Sequence, residues 1–400
     1  MAIIYILLLV MFSLVAWRNS RYAILIMLAT LPAYLLRFSL FGFPVTVLEG
    51  MILILFARWL ILKLQEKKIP VFDKLFVTAI FLFIAAGIIG VMVAPDLRAA
   101  LGIFKAYIIE PVLFFLVARD CLSRRDLPQV ITALSVSAIV VSLYGLAQRF
   151  LGMPIVAPWQ AELRITSLFP YPNAVGLYLA PLLPLFVWQL INSWSKLRAK
   201  LYWLLVIGLS LTAIYFAKTW GAMVALSVVG LVIGLGSKKT RKYALAIIIG
   251  ASIALLLAGP TRDVITQKLA FKSWSGMVRV AMYEETWQML KARPIVGAGL
   301  SGYQTAIKPY HVNTWMEIFL YPHNIVLTIW SELGLLGLVA AGLLLAWFIK
   351  QLIVRRDSIA VMLAASMIII LIHGLVDVPY FKNDLAVIFW LLFMIASMKD

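Results

Sequence analysis

The chain has 400 residues, 64% of them hydrophobic and only 13% charged, against about 45–50% and about 25% in globular domains. Its 35 Lys and Arg outnumber 17 Asp and Glu, for a formal net charge of +18. The basic residues sit in short clusters between long apolar runs, which argues against a water-soluble domain and a nucleic-acid partner and points to a polytopic helical membrane protein in contact with anionic lipid headgroups.

Apolar runs fall at about 2–17, 22–38, 44–63, 74–94, 99–118, 127–150, 173–192, 200–217, 219–236, 241–259, 324–350, 358–376 and 384–398. The first, within MAIIYILLLVMFSLVAWRNSR, has neither a basic n-region nor a small-residue cleavage site, so it reads as a retained membrane segment. The basic clusters are Arg18/Arg21, Lys63/Lys67/Lys68/Lys74, Arg119/Arg124/Arg125, Lys196/Arg198/Lys200, Lys238/Lys239/Arg241/Lys242 and Arg355/Arg356. Putting all of them on the cytoplasmic side requires thirteen alternating spans, or twelve if the first two merge or one re-enters. The expected fold is therefore all-α, with about 12–13 transmembrane helices in a single membrane domain over 1–400. Short alternating segments of a membrane β-barrel are absent.

The other side receives the loops 95–98, 151–172, the turn near 218–221, the long hydrophilic segment 260–322 and the loop 377–383. Glu49 and Glu110 lie at or within early helices and suit either packing or a substrate role. The loop LGMPIVAPWQAELRITSLFPYP (151–172) is rich in Pro and aromatics and carries Arg164, a basic residue against the charge bias. Segment 260–322 is the natural place for an extracytoplasmic subdomain. Within it, Ser275 is the expected cap of a helix over about 276–291, ended by Ala292-Arg293-Pro294 and Gly297. Arg279 lies in its first turn, with Met282 and Tyr283 as helical neighbours and Glu284 and Glu285 off its face, so it is free to meet an external anion. Arg293, just past the helix, and Lys308, in a loop, are weaker candidates.

Next comes YPHNIVLTIWSELGLLG (321–337), with His323 and Asn324 at the start of an apolar run and Glu332 inside it. On one continuous helix, nine residues separate His323 from Glu332 by about 13.5 Å and half a turn, so they do not form a local acid–base pair. His373 and Asp377 are four apart on one helix face. Asp377 either caps that helix with His373 or reaches over to orient His323. The single cysteine, Cys121, makes no internal disulfide, and no Cys/His metal spacing occurs.

These stretches together resemble the O-antigen ligase and polymerase family of bacterial envelope glycosyltransferases. The resemblance is carried by SWSGMVRVAMYEETWQMLKARPIVGAGLSGY (273–303), YPHNIVLTIWSELGLLGL (321–338) and HGLVDVPYF (373–381), and more weakly by RITSLFPYPNAVGLYLAPLLPL (164–185). It spans roughly 140–380. Where many members carry a Ser-Arg-Gly-Ala type turn, this chain has Lys218-Thr219-Trp220-Gly221-Ala222, with Lys218 as a shifted source of charge.

The resemblance implies a polyprenyl (undecaprenyl) diphosphate-linked glycan as donor, presented at the outer leaflet of the bacterial cytoplasmic membrane, and a lipid A–core, glycan or similar hydroxyl as acceptor. The leaving diphosphate needs positive charge, and Arg supplies a permanently protonated fork that matches phosphate oxygens. The hydroxyl needs an acceptor for its proton, a task suited to histidine. The expected site is His323 and Arg279 as catalytic residues, with Arg164, Lys218, Asn324 and Arg293 binding the diphosphate or glycan and Asp377 or Glu332 orienting. With no dense acidic cluster on that side, neither a metal nor another cofactor is expected. The rival readings are a polysaccharide polymerase and, in another class, a transporter or flippase of the same lipids. The latter often show inverted repeats, and no internal repeat is visible here.

Overall fold

The computed structural model describes residues 2–40, 43–67, 72–236, 238, 240–246, 249, 267, 270–355 and 357–398. It is mostly helical. In chain order the helices are α1 (Ala2–Arg18), α2 (Ser20–Ala29), α3 (Val47–Glu66), α4 (Lys74–Met92), α5 (Leu97–Cys121), α6 (Leu127–Phe150) and α7 (Asn173–Asn192). There follow α8 (Leu197–Phe216), α9 (Trp220–Gly236), α10 (Trp274–Ala292), α11 (Ile325–Arg355), α12 (Ser358–Gly374) and α13 (Asn383–Ser397). Among the described residues, α4 to α8 and α11 are each long and apolar enough to cross a membrane. The chain is an all-α, multi-pass membrane protein.

Among the described residues, four of its basic clusters, at Arg21, Lys63, Arg124 and Arg355, gather at one end of the bundle, where ion pairs tie helix ends together. Arg21 meets Asp126 at 2.7 Å, Lys63 meets Asp120 at 2.8 Å, Arg124 meets Asp357 at 2.6 Å and Lys350 meets Asp73 at 2.7 Å. All of them join starts or ends of helices that the alternation assigns to the same side.

Two elements differ from expectation. The run 22–38 is not one span. α2 has ten residues, about 15 Å of rise, and is followed by a 3-10 turn, Leu31–Leu35, and the hairpin β1 (Arg37–Leu40) and β2 (Phe43–Thr46). The strands are antiparallel, with Arg37 opposite Thr46 and Ser39 opposite Pro44. Non-helical backbone at membrane depth survives only where protein covers it. Here the 3-10 turn packs on α3 and α13, with Leu31 and Tyr34 buried.

The second difference lies in α11, which is broken at Gly334 (φ 66°, ψ −169°). The segment after α10 wedges in at the break and takes up its backbone bonds. Leu335 donates to the Ile295 carbonyl at 2.9 Å, Ala298 to Ser331 at 2.7 Å, and Leu300 to Gly90 of α4 at 3.0 Å. A Cβ on Gly334 would stand 2.2 Å from the Ile295 oxygen, so glycine is required for space as well as conformation. Past the break, 335–355 rises about 31 Å, one membrane thickness. His323 therefore precedes a short upper helix, not the mouth of a continuous span over 324–350. Most of the run 241–259, including 250–259, lies outside the described residues, as does part of the loop 260–322.

Both early glutamates are buried. Glu49 forms a capping box with Thr46 at the start of α3 and pairs with Lys105. A π-helical stretch, Phe104–Ile109, interrupts α5 just before Glu110, whose carboxylate interacts with that of Glu49.

Candidate active site

At the end opposite the basic clusters, five chain segments meet: the loop before α7, the α8–α9 turn, the first turns of α10, the residues before α11 and the α12–α13 loop. Asp377, 3% exposed, is their junction. Its Oδ1 lies 3.2 Å from His323 Nδ1 and accepts the Val378 amide at 2.9 Å, while Oδ2 accepts from Asn173 Nδ2 at 2.7 Å. Burial is the largest single influence and pushes the Asp377 carboxyl up, but the His323 hydrogen bond and the electrostatics of His323, His373 and Arg279 together hold it well below the ordinary carboxylate range. An ionised carboxylate only accepts. His323 Nδ1 must then be the donor, so that in the neutral ring Nε2 holds the lone pair of a base.

The histidine backbone is clamped too. His323 has φ +45°, and its carbonyl accepts the Tyr283 hydroxyl at 3.0 Å, a donor shared with the Leu375 carbonyl at 2.8 Å. Phe319 packs edge-on against the ring, centroids 5.5 Å apart. Asn324 caps α11, its Oδ1 accepting from the Val326 and Leu327 amides at 3.0 and 3.1 Å, and its Nδ2 donates to Leu375 at 3.1 Å.

Two guanidinium groups stand beside this assembly. Arg279 Nε donates to the Val376 carbonyl at 2.8 Å and Nη1 to Ser275 at 2.9 Å. Both acceptors are neutral, so the charge is oriented without being neutralised. Arg164 Nε donates to Ala217 at 3.2 Å and Nη2 to Asn173 Oδ1 at 3.2 Å, with its guanidinium 4.9 Å from the Trp159 ring centre and Glu162 at 3.8 Å. Burial, and beyond it the nearby Arg279 charge, pull the Arg164 pKa below its usual value against the opposing Glu162. Each guanidinium charge favours an anion beside it. Lys218, in the left-handed region at φ +51°, reaches the Glu162 carbonyl at 2.8 Å and so belongs to the same corner. Gly221 follows it, where a Cβ would come within 2.5 Å of the His373 ring. His373 is thus packed against that turn while Asp377 turns to His323.

Not every expected residue is here. Arg293 is exposed at the far end of α10, about 21 Å of helix beyond Arg279. Glu332 is fully buried and its Oε2 accepts the Ser301 amide at 2.6 Å. It holds the wedge in place and does not orient His323. Lys308 sits in a 3-10 turn of the outer segment. The helix cap is Ser273, not Ser275, whose carbonyl serves Arg279 instead.

Sequence reasoning passed over four groups. Asn173 bridges Arg164 to Asp377, and Tyr283 ties α10 to the histidine. Glu285 accepts from the Val312 and Asn313 amides at 3.1 and 2.9 Å and meets His311 Nδ1 at 3.0 Å, fixing the strap that leads to His323. Lys382, buried in the α12–α13 loop, is the fourth. It bore the mark that singled out Arg164, a basic residue among aromatics on the side poor in positive charge. Asp263, an acidic residue of the loop 260–322, lies outside the described residues. Among the described residues, no three His, Cys, Asp or Glu side chains gather closely enough to share an ion.

A family model described as O-Antigen ligase matches residues 204–342. Lys218, Arg279, Tyr283, His323 and Asn324 lie inside the matched stretch; Arg164, Asn173 and Asp377 lie outside it. No curated protein sequence matches the chain significantly.

Proposed function

From a chain that belongs to the O-antigen ligase/polymerase family and carries that family's domain over residues 204–342, we infer a membrane glycosyltransferase. It moves a glycan from a polyprenyl diphosphate donor to an acceptor hydroxyl at the outer face of the bacterial cytoplasmic membrane. The observation that carries this reading is the tie of His323 Nδ1 to Asp377 at 3.2 Å beside two guanidinium groups with no strong anionic partner.

The acceptor oxygen attacks the anomeric carbon and gives its proton to His323 Nε2. The bond from that carbon to the diphosphate oxygen breaks, and the polyprenyl diphosphate leaves with the electron pair. Arg279 and Arg164, with Lys218 at the edge, meet the charge that develops on the leaving group. Preorganised donors in a partly dry site supply roughly 3–4 kcal/mol each to such a step. Asn324 holds the helix start that sets the histidine backbone. Because arginines meet the diphosphate, the transfer needs no divalent metal.

The test is glycan transfer by purified protein in detergent, from a radiolabelled glycan on undecaprenyl diphosphate, with and without excess EDTA. New glycosidic product in both conditions is the expected result. Movement of the lipid across liposomes without any new bond would instead identify a transporter. A product in which donor glycans are joined end to end would identify a polymerase.

A further inference from the structure

At the end of the bundle that carries the basic clusters, α2 and α6 leave a groove between them that the reaction above does not use. α2 stops at Ala29 after ten residues, about 15 Å of rise, while α6 runs on from Leu127 to Phe150. The cavity between them measures about 630 Å³, within the roughly 300–1,000 Å³ of ordinary ligand sites. Tyr22, Ile26 and Ala29, which share one face of α2, stand on one wall, and Gln129, Thr132 and Ala133 on the other. Tyr22, Ile26, Gln129 and Thr132 are exposed, so the groove opens sideways, where lipid surrounds the bundle.

The groove changes character along its length. Near the helix starts it is polar and positive. Arg21 is held there, its Nη2 donating to Gln129 Oε1 and meeting Asp126 Oδ1 at 2.7 Å. Arg18 ends α1 just before α2, and Arg125 lies just before α6; both are exposed. Arg58 of α3 donates to the Trp17 carbonyl at 3.2 Å and to the Ser20 hydroxyl, both neutral, on the turn that joins α1 to α2. Asp126 offsets only part of this charge, and the neighbouring Arg124 is matched by Asp357 at 2.6 Å. A turn further on the walls are apolar, and the short side chains of Ala29 and Ala133 leave the trough hollow. Positive charge at the membrane surface, with an apolar trough leading inward from it, complements a phospholipid that bears a net negative head. Basic pockets between transmembrane helices bind such headgroups. A soluble anion would leave the trough empty, and a choline head would bring a further positive charge among the arginines. The glycan donor is no match either, since its diphosphate is handled at the opposite end of the bundle.

We propose that this groove holds one anionic phospholipid of the adjacent leaflet, its phosphate at Arg21 and Arg125 and one acyl chain along Ile26, Ala29 and Ala133. The site does not depend on the glycosyl-transfer reading. The probes are palmitoyl-oleoyl phosphatidylglycerol and the phosphatidylcholine with the same chains, each titrated onto the delipidated full chain in detergent. Native mass spectrometry counts the lipids retained per chain. A single phosphatidylglycerol should persist under conditions that strip phosphatidylcholine. Its affinity should fall about fivefold in Arg125→Gln, the loss of one basic residue near a headgroup. It should fall at least as far in Ala29→Phe and in Thr132→Phe, which fill the trough and keep every charge. Val140→Phe, on the exposed face of α6 beyond the groove, should bind as wild type does. Thr132 is already exposed, so Thr132→Phe decides the matter if Ala29→Phe fails to fold. Equal retention of the two lipids overturns the proposal, and so does undiminished binding in folded Thr132→Phe, since the lipid would then belong to the ordinary annulus. Displacement of the lipid by inorganic phosphate also overturns it, because that defines a plain anion site. A dimer mass that is lost in Thr132→Phe does the same, because the groove would then be a contact between two copies of the chain.

Discussion

His323 holds a left-handed backbone at φ +45°, which costs a non-glycine residue about 1–2 kcal/mol. That strain persists because the Tyr283 hydroxyl, Asp377 and Phe319 fix the residue from three directions. Such over-determination fits a group whose lone pair must point one way. We predict that His323→Gln leaves donor binding within about twofold of wild type while slowing transfer by about 10²–10⁴-fold, read from initial rates on folded protein. Arg279→Lys keeps the charge but loses the fork, so donor affinity and turnover should both fall, roughly tenfold or more. Wild-type rates for His323→Gln would reduce the histidine to a structural part. Asp377 gives a pH signature. Its folded-state pKa is depressed, so its stabilisation is complete above the unfolded value of about 3.9 and is lost as pH falls through the folded value. Asp377→Asn should therefore destabilise the protein by roughly 1–3 kcal/mol near neutrality, with the gap in thermal midpoint closing below about pH 4.

At the scale of elements, α10 was readable because Arg293-Pro294 and Gly297 punctuate its end and its polar residues interrupt the apolar pattern. The break in α11 was not. Gly334 sits in SELGLLG, an apolar context in which membrane helices commonly carry glycine, and nothing local states that φ is +66° there. Only the wedge contributed by 294–301, distant in sequence, makes the break favourable. The hairpin was hidden similarly, since Arg37-Phe38-Ser39-Leu40 alternates for only four residues at the end of the apolar run 22–38. Pro44 was the local cue that no helix continues. Gly334→Ala is the discriminating substitution. In a continuous helix it would stabilise, but here it should cost roughly 2 kcal/mol or more, seen as a lower thermal midpoint together with reduced transfer. Glu332→Gln, which still accepts from the Ser301 amide, should be nearly silent in transfer, whereas a catalytic role would make it severe.

For the whole molecule, charge placement was the most legible property, because each basic cluster is local in sequence while its sidedness is a collective outcome. Arg164 stood out for the same reason, as an exception to that bias. The Asp377–His323 tie was one of two readings the sequence left open, and the meeting of Arg164 and Arg279 with it was legible only through resemblance, since long loops and several helices separate them. Sidedness is tested at Val312, 78% exposed in the outer segment. With Cys121 replaced by Ser, Val312→Cys should react with a membrane-impermeant maleimide in intact cells or spheroplasts. Reaction only after permeabilisation would place the candidate site on the wrong side of the membrane.

The carboxylate that fixes His323 arrives 54 residues later in the chain, which gives the protein a clock. A ribosome-bound chain that has just delivered α11 already owns both arginines and the histidine, yet nothing sets the tautomer of the imidazole or completes its clamp. The α12–α13 loop supplies both the Asp377 carboxylate and the Leu375 and Val376 carbonyls that hold Tyr283 and Arg279. On the roles proposed for these residues, competence for transfer begins only once that loop is in place.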